Sequence, residues 1–240
     1  MTGSSTDARV SEIEQRLKNA GIVDALGEAM TLLRLASSFQ SRGNSGSFDD
    51  VLEAAVQERE ARRSLSRIAG FKHFLGLALK LADDVYEPCA SSERLVEHVL
   101  AIVADRSDSL RILDVGTGAG NLLLAVLKDL PNATGVGIDV NPAAVTLARD
   151  NAMLHNLHDR CVVTQGDAHD VTDGCFDLVI STLPWVPSGQ IQQLMPEVRL
   201  HDPHQALDLG RDGLMHFKKL SHSLDAMLSA TGSGFFSDWL

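Results

Sequence analysis

The 240 residues of the chain, 44% of them hydrophobic and 22% charged, have the composition of an ordinary globular protein. The formal net charge of −11 argues against non-specific binding of nucleic acid, so we expect no direct binding of DNA. Cys89, Cys161 and Cys175 are far apart, which excludes a disulfide framework and favours the cytoplasm. The polar start and the lack of an apolar run of ~18 residues predict neither export nor a membrane span.

The first part of the chain has helical periodicity. Apolar residues recur at steps of three and four from Asp7 to about Phe39, which predicts amphipathic helices separated near Gly21. Ser47 is a helix-start signal for a further helix over Val51–Arg63. We therefore predict an N-terminal helical domain over residues 1–69, with a role in recognising the substrate.

A different pattern follows this helical part. Apolar residues partly alternate between Gly70 and Glu87, which favours a β-hairpin, although a helix is the alternative there. We take residues 70–90 as a hairpin linker. Ser91 or Ser92 is then predicted to cap a helix that runs to Val103.

Strands and helices alternate after Leu110. The apolar runs that we interpret as strands are Arg111–Val115, Thr134–Ile138, Cys161–Thr164 and Leu178–Ser181. The first two lead into long helical patterns at Leu122–Leu130 and Pro142–His155. This alternation predicts an α/β fold, a parallel sheet of Rossmann-like type with helices on both faces, over residues 91–240.

A glycine-rich segment, Asp114 to Gly120, joins the first predicted strand to its helix. Such a turn lets backbone amides approach a ligand closely. A dinucleotide fingerprint fails because Asn121 occupies its last glycine position, and no Gly-Lys-Ser/Thr follows to make a phosphate loop. The remaining pattern, Asp-x-Gly-x-Gly-x-Gly, resembles the class I methyltransferases that use S-adenosyl-L-methionine. A glycine-rich turn without a ligand is the alternative.

Two more acids follow neighbouring predicted strands. Asp139 ends the second strand, where a carboxylate can accept hydrogen bonds from both hydroxyls of a ribose. Asp167 follows the third strand, where the resemblance implies a bond from the adenine amine and the alternative is a turn residue. The resemblance implies that the cofactor-binding residues are Asp114, Gly116, Thr117, Gly118, Gly120, Asp139, Val140, Asp167, Ala168 and Thr182.

Further phrases point to a narrower family. They are Ser64–Gly70, Glu93–Glu97, Asp202–Asp208 and Gly210–Leu214. Together with the glycine loop they resemble the release-factor glutamine methyltransferases of the PrmC/HemK type. This resemblance implies methylation of the side-chain amide of a glutamine in a peptide chain release factor.

The chain departs from that family at its signature, Asn-Pro-Pro-Tyr after the fourth strand. Thr182, Leu183, Pro184 and Trp185 occupy this place, and the resemblance makes them the catalytic segment. The Thr182 hydroxyl and the Leu183 carbonyl would accept the hydrogens of the acceptor nitrogen, and Trp185 would form an aromatic wall or pack in the core. The acceptor is then a protein glutamine amide or a small-molecule amine or amide. A catalytically inactive, partner-binding subunit is the other hypothesis.

Two weaker signals concern charge and metal. Arg59, Arg62, Arg63 and Arg67 form a basic cluster, which is either a solvated helix flank or a docking surface for an acidic or RNA-bearing partner. Histidines recur in pairs at 155 and 158 and at 201 and 204 without a zinc-binding spacing, so we predict no metal site.

The number of residues that follow the fourth predicted strand leads to a last prediction. A helix through Leu228 precedes Gly232–Phe236, where a fifth strand could begin. We therefore expect the last two strands usual in this fold, an antiparallel hairpin, to be absent. The exposed edge would then need a cover, such as a second subunit of a homo-oligomer.

Overall fold

The structure is a computed structural model that describes residues 3–41, 46–104, 109–171, 175–182, 186–208, 210 and 215–236. The chain forms two compact units. The first comprises Met1–Gly70 and Pro196–His201, and the second comprises Phe71–Met195 and Asp202–Leu240. By this division the predicted linker belongs with the second unit, and a short later segment belongs with the first. The division into 1–69, 70–90 and 91–240 stays a prediction.

The first unit is helical. Its helices are α1 (Gly3–Asn19), α2 (Ala25–Ser41), α3 (Phe48–Glu60), α4 (Leu65–Ala69) and the later α8 (Pro196–His201). The predicted break falls at Gly21, and the Ser47 side chain caps α3 by accepting from the amide of Asp50. Leu17, Leu32 and Val56 are buried where α1, α2 and α3 meet.

Two residues of the basic cluster, Arg59 and Arg67, are buried, which contradicts a solvated helix flank at these positions. The docking surface stays a prediction. Arg59 is 5% exposed and forms ion pairs with Glu28 and with Glu197 of α8, the latter at 2.9 Å. Arg62 reaches the same Glu197 at 2.7 Å, and Arg67 is buried. Arg59 and Arg62 therefore neutralise carboxylates inside the first unit. Sequence patterns missed this because Glu197 lies more than a hundred positions away.

The second unit begins with the hairpin, so the alternation is confirmed. Strands β1 (Phe71–Phe74) and β2 (Leu77–Lys80) pair antiparallel. The predicted cap of the next helix, α5 (Ala90–Ile102), is wrong: the N-cap residue is Cys89, two positions before Ser91, and it makes no side-chain cap hydrogen bond. The Cys89 sulfur lies 2.8 Å from Oγ of Ser91, so that hydroxyl is engaged inside the first turn.

A five-stranded sheet forms the centre of the second unit in the described part of the chain. Its strands are β3 (Arg111–Val115), β4 (Thr134–Asp139), β5 (Cys161–Gln165), β6 (Phe176–Ser181) and β7 (Leu228–Phe236). They are parallel throughout, in the order β5-β4-β3-β6-β7. The predicted α/β class with a Rossmann-like parallel sheet is thus confirmed.

Helices cover the sheet on both faces. They include α6 (Asn121–Asp129), α7 (Pro142–Leu154) and α10 (Met215–Met227), and the short helix α9 (His204–Leu207) precedes α10 in the chain. Successive residues of a strand point to opposite faces, so Ile112 packs with α5 and α6, whereas Leu113 packs with Leu220 of α10. In the described residues, no helix has the length and apolar character of a membrane span.

The last helix and strand differ slightly from their prediction. Helix α10 ends at Met227, because Leu228 already pairs with Phe176 of β6. The fifth strand therefore starts four positions before Gly232. The expected absence of two further strands, and the cover of the β7 edge by a second subunit, stay predictions.

Candidate active site

A cavity of about 590 Å³ opens beside the carboxyl ends of β3, β4, β5 and β6. Ligands of open α/β sheets bind at this edge, because the loops after the strands converge there. The structure brings seven of the predicted cofactor-binding residues to its wall. They are Gly116, Gly118, Asp139, Val140, Asp167, Ala168 and Thr182.

The glycine loop after β3 lies against the end of β4. The amides of Gly116 and Thr117 both donate to the carbonyl of Ile138, at 2.9 and 3.0 Å. The next amide, that of Gly118, donates to Oδ2 of Asp139 at 2.9 Å. Three successive amides are thus fixed by the neighbouring strand, and Gly116 and Gly118 of this loop line the cavity.

Two glycines of the loop are required for different reasons. Gly118 has a φ of +55°, and a Cβ there would meet nothing nearer than a carbonyl oxygen at 4.0 Å, so only its left-handed backbone selects glycine. Gly120 has a φ of +82°, and a Cβ would also lie 3.1 Å from Leu124 and 3.3 Å from Ala148. Gly120 therefore allows close packing of α6 and α7 behind the loop.

Asp139 is the acid that faces the cavity. Its Oδ1 accepts from the amide of Asn141 at 2.9 Å, and its Oδ2 accepts from Gly118. Burial raises the pKa of this carboxyl, and the two backbone hydrogen bonds oppose that rise. Each carboxylate oxygen has two lone pairs, so each can accept one further bond from a ligand. This is the chemistry that a pair of ribose hydroxyls requires.

Asp114, Thr117 and Gly120 are not among the residues that line the cavity. Asp114 is 1% exposed, and its Oδ2 accepts from the Thr117 hydroxyl at 2.8 Å. Burial raises the pKa of Asp114 to about 7, and the Thr117 bond opposes that rise. The hydrogen bond between Asp114 and Thr117 therefore supports the glycine loop outside the cavity wall. Gly137 of β4 makes room for it, since a Cβ there would lie 2.9 Å from the Thr117 hydroxyl.

Asp167 both lines the cavity and shapes its own turn. Its Oδ1 accepts from the amide of Ala168 at 2.6 Å, and its own amide donates to Asp170 at 2.9 Å. The His169 ring lies 3.3 Å from the same carboxylate. The turn-residue alternative thus describes part of its role, and the side chain still borders the space into which a ligand would fit.

Thr182 borders the cavity directly after β6. The preceding hydroxyl, that of Ser181, donates to the carbonyl of Val115 at 2.7 Å, which fixes the end of β6 against β3. The other three residues of the predicted catalytic segment, Leu183, Pro184 and Trp185, lie outside the described residues.

Two further segments line the cavity, and the sequence did not predict them as site residues. They include Asp84, Val85, Tyr86, Pro88, Pro203, His204, Gln205 and Ala206. The Asn141 side chain donates to the carbonyl of Asp84 at 2.7 Å, and the amide of Glu87 donates to Asp202 at 3.2 Å. The family-like phrase Asp202–Asp208 was the available signal for the second of these segments.

The described residues contain no group of three histidines, cysteines or acids able to hold a metal. The ring of His155 lies 3.0 Å from the carbonyl of Ala78, and that of His201 lies 2.8 Å from the carbonyl of Ala61. Both rings therefore contact the backbone.

Comparison with known proteins places this site in a family. The family model for a methyltransferase domain matches residues 106–227. The release factor glutamine methyltransferase of Bradyrhizobium diazoefficiens is 35% identical, over 91% of this chain and 77% of that protein. The chain belongs to the release factor glutamine methyltransferase family.

Two further members of the family match to different extents. The enzyme of Agrobacterium fabrum is 30% identical, over 96% of this chain and 83% of its own length. The enzyme of Rhodospirillum rubrum is 42% identical over 182 residues, which are 76% of this chain. That match spans 55% of the Rhodospirillum protein.

S-adenosyl-L-methionine is the cofactor of this methyltransferase family, and the residues of the cavity fit it. Gly116 and Gly118 leave the backbone uncovered at the wall, where a flexible ligand can lie close to it. Asp139 offers the acceptors for a ribose, and Asp167 offers an acceptor for an exocyclic amine. None of these groups is a cation that would repel a sulfonium.

Proposed function

We propose that this chain transfers a methyl group from S-adenosyl-L-methionine to the side-chain amide of a glutamine in a protein of the release-factor class. The observation that carries the proposal is the placement of Thr182. It borders the same cavity as Gly118 and Asp139, so an acceptor held at Thr182 lies beside the predicted cofactor site. The named activity of the three relatives supports glutamine as the acceptor.

The chemistry requires orientation more than acid or base catalysis. An amide nitrogen is a weak nucleophile, and holding it in line with the reacting carbon supplies a large part of the rate. When bound, the cofactor supplies an electrophilic methyl group on its sulfonium. The Thr182 hydroxyl can accept one N–H of the acceptor amide and so direct the nitrogen. Ser181 anchors this position through its bond to Val115.

The proposal is tested by methyl transfer to alternative acceptors. The purified chain is incubated with labelled cofactor and either a release factor or a panel of small amines and amides. We expect label in the release factor. Label only in small molecules would contradict the glutamine acceptor, and cofactor binding without any turnover would support the inactive, partner-binding subunit.

Variants at Thr182 test the site itself. Thr182→Ala should lower the rate of transfer at least about tenfold, which corresponds to about 1.4 kcal/mol of transition-state stabilisation. Thr182→Asn restores the family's amide side chain and should keep or raise the rate. Thr164→Ala is the matched control, because Thr164 is exposed on β5. Equal rates for Thr182→Ala and wild type would contradict a role for this hydroxyl.

A further inference from the structure

Asn151 is a fully buried side chain of α7 that joins three parts of the second unit. It has 0% exposure. Its Oδ1 accepts from the amide of Lys80, at the end of hairpin strand β2, at 2.8 Å. Its Nδ2 donates to the carbonyl of Ala119 in the glycine loop at 2.9 Å, and lies 3.3 Å from the carbonyl of Lys80. One amide thus ties the hairpin and the glycine loop to one helix.

The Ala119 bond supports the half of the loop that follows Gly118. Residues 116–118 are held by Ile138 and Asp139, as described above. Beyond them, the Ala119 side chain packs in a buried cluster with Val85, Ala144 and Leu147. Helix α7 therefore contacts this half of the loop through apolar packing and through the Asn151 amide.

The same residues lead back to the cavity. Val85, which packs with Ala119, also lines the cavity, and it follows the hairpin by five positions. A shift of the hairpin would therefore displace the loop through two contacts, that of the Asn151 amide and that of Val85. A buried amide that lost its partners would cost free energy, so this arrangement favours one position of the loop.

We propose that Asn151 is a positioning residue of the cofactor site, which fixes the glycine loop to the hairpin through the Ala119 carbonyl. The inference rests on the binding of S-adenosyl-L-methionine in the cavity and not on the identity of the acceptor. It predicts that Asn151 contributes to cofactor affinity although the side chain does not line the cavity.

His155 offers a matched control on the same helix and hairpin. Its ring lies 3.0 Å from the carbonyl of Ala78, so it also joins the end of α7 to β2. It follows Asn151 by four positions, and its ring contacts the hairpin rather than Ala119 of the glycine loop. Loss of His155 weakens the contact between helix and hairpin without removing the bond to Ala119. If cofactor affinity depended only on the contact between α7 and the hairpin, loss of either residue would weaken it.

Calorimetric titration with S-adenosyl-L-methionine tests the inference on folded variants. Asn151→Ala removes the bridge, and Asn151→Asp keeps the size and the bond to Lys80 but loses the donor to Ala119. Both should weaken cofactor affinity at least about tenfold, whereas His155→Ala should change it less than about twofold. Wild-type affinity in the folded Asn151 variants, or an equal loss in His155→Ala, would overturn the inference.

Hydrogen exchange of the wild-type chain provides a test that needs no variant. The amide of Lys80 donates to Asn151 and lies outside the cavity wall. Coupling between two sites is reciprocal, so bound cofactor should slow the exchange of this amide. Unchanged exchange at saturating cofactor would overturn the proposed coupling. Cofactor binding by wild type is measured first. If wild type does not bind cofactor, the assignment of the cavity as the cofactor site is itself wrong.

Discussion

The backbone amide of Gly118 donates a 2.9 Å hydrogen bond to Oδ2 of Asp139, and this bond joins the loop after β3 to the end of β4. One carboxylate therefore holds the glycine loop and also faces the cavity. Loop geometry and ribose recognition depend on the same side chain. Changes at Asp139 should for this reason affect cofactor binding strongly.

Asp139→Asn is the most direct change at this site. An asparagine has one acceptor oxygen, so its NH₂ group would face either the amide of Gly118 or that of Asn141. We expect the Kd for S-adenosyl-L-methionine to rise at least about tenfold in calorimetry. Asp159→Asn is the control, since the Asp159 side chain is 90% exposed. Similar affinities for the two variants would contradict the assigned role of Asp139.

The two glycines of the loop should differ in their tolerance of alanine. Gly118→Ala meets only the cost of a left-handed backbone, roughly 1–2 kcal/mol. Gly120→Ala has that cost and also crowds Leu124 and Ala148, which adds about 1–3 kcal/mol. Urea unfolding should therefore show the larger loss of stability for Gly120→Ala. The reverse order would contradict the packing described behind the loop.

Asp114 should make stability depend on pH. Its pKa is about 7 in the folded chain, against 3.8 for an ordinary aspartate. Between these values the folded chain retains a proton that the unfolded chain has released, so the free energy of unfolding falls as the pH rises. Asp114→Asn removes this titration and should flatten the fall between pH 4 and pH 7, by about 1.4 kcal/mol for each unit of pKa shift.

The comparison is made as a difference between variant and wild type. The raised pKa of Asp139 acts in the same direction and is present in both chains, so most of its contribution cancels. Urea unfolding at a series of pH values provides the measurement. Parallel curves for the two chains would show that Asp114 is ionised in the folded state throughout.

Arg59 should be far more important for the first unit than an exposed basic residue. Removal of its guanidinium in Arg59→Met leaves Glu28 without this partner and leaves Glu197 with Arg62 alone, which costs about 1–3 kcal/mol. Lys18→Met breaks an exposed pair with Glu14 and should cost at most about 0.5 kcal/mol. Denaturant unfolding measures both. A small loss in Arg59→Met would mean that the buried network contributes little.

Local patterns predicted the elements that local physics determines. The break at Gly21, the cap at Ser47 and the alternation of the hairpin all depend on neighbours within a few positions, and each is present in the structure. The glycine loop and Asp139 were also predictable, because strand ends of a parallel sheet meet at one edge. Their convergence at one cavity follows from the topology.

Contacts between distant residues could not be predicted in this way. The partner of Arg59 and Arg62 is Glu197, and no local signal marks α8 as part of the first unit. The bridge from Asn151 to Lys80 and Ala119 likewise joins positions 71 and 32 residues apart. In the sequence, such residues are indistinguishable from ordinary polar residues on an exposed helix face. Only the fold shows that they are buried.

The measurement that tests the account most directly is the position of the methyl group on a release factor after incubation with the chain and S-adenosyl-L-methionine. Peptide mass spectrometry should find a gain of one methyl group on a glutamine side-chain amide. The gain should fall strongly with Thr182→Ala and with Asp139→Asn, and should be unchanged with Asp159→Asn. A release factor without added methyl, under conditions where calorimetry shows cofactor bound, would contradict the proposed function.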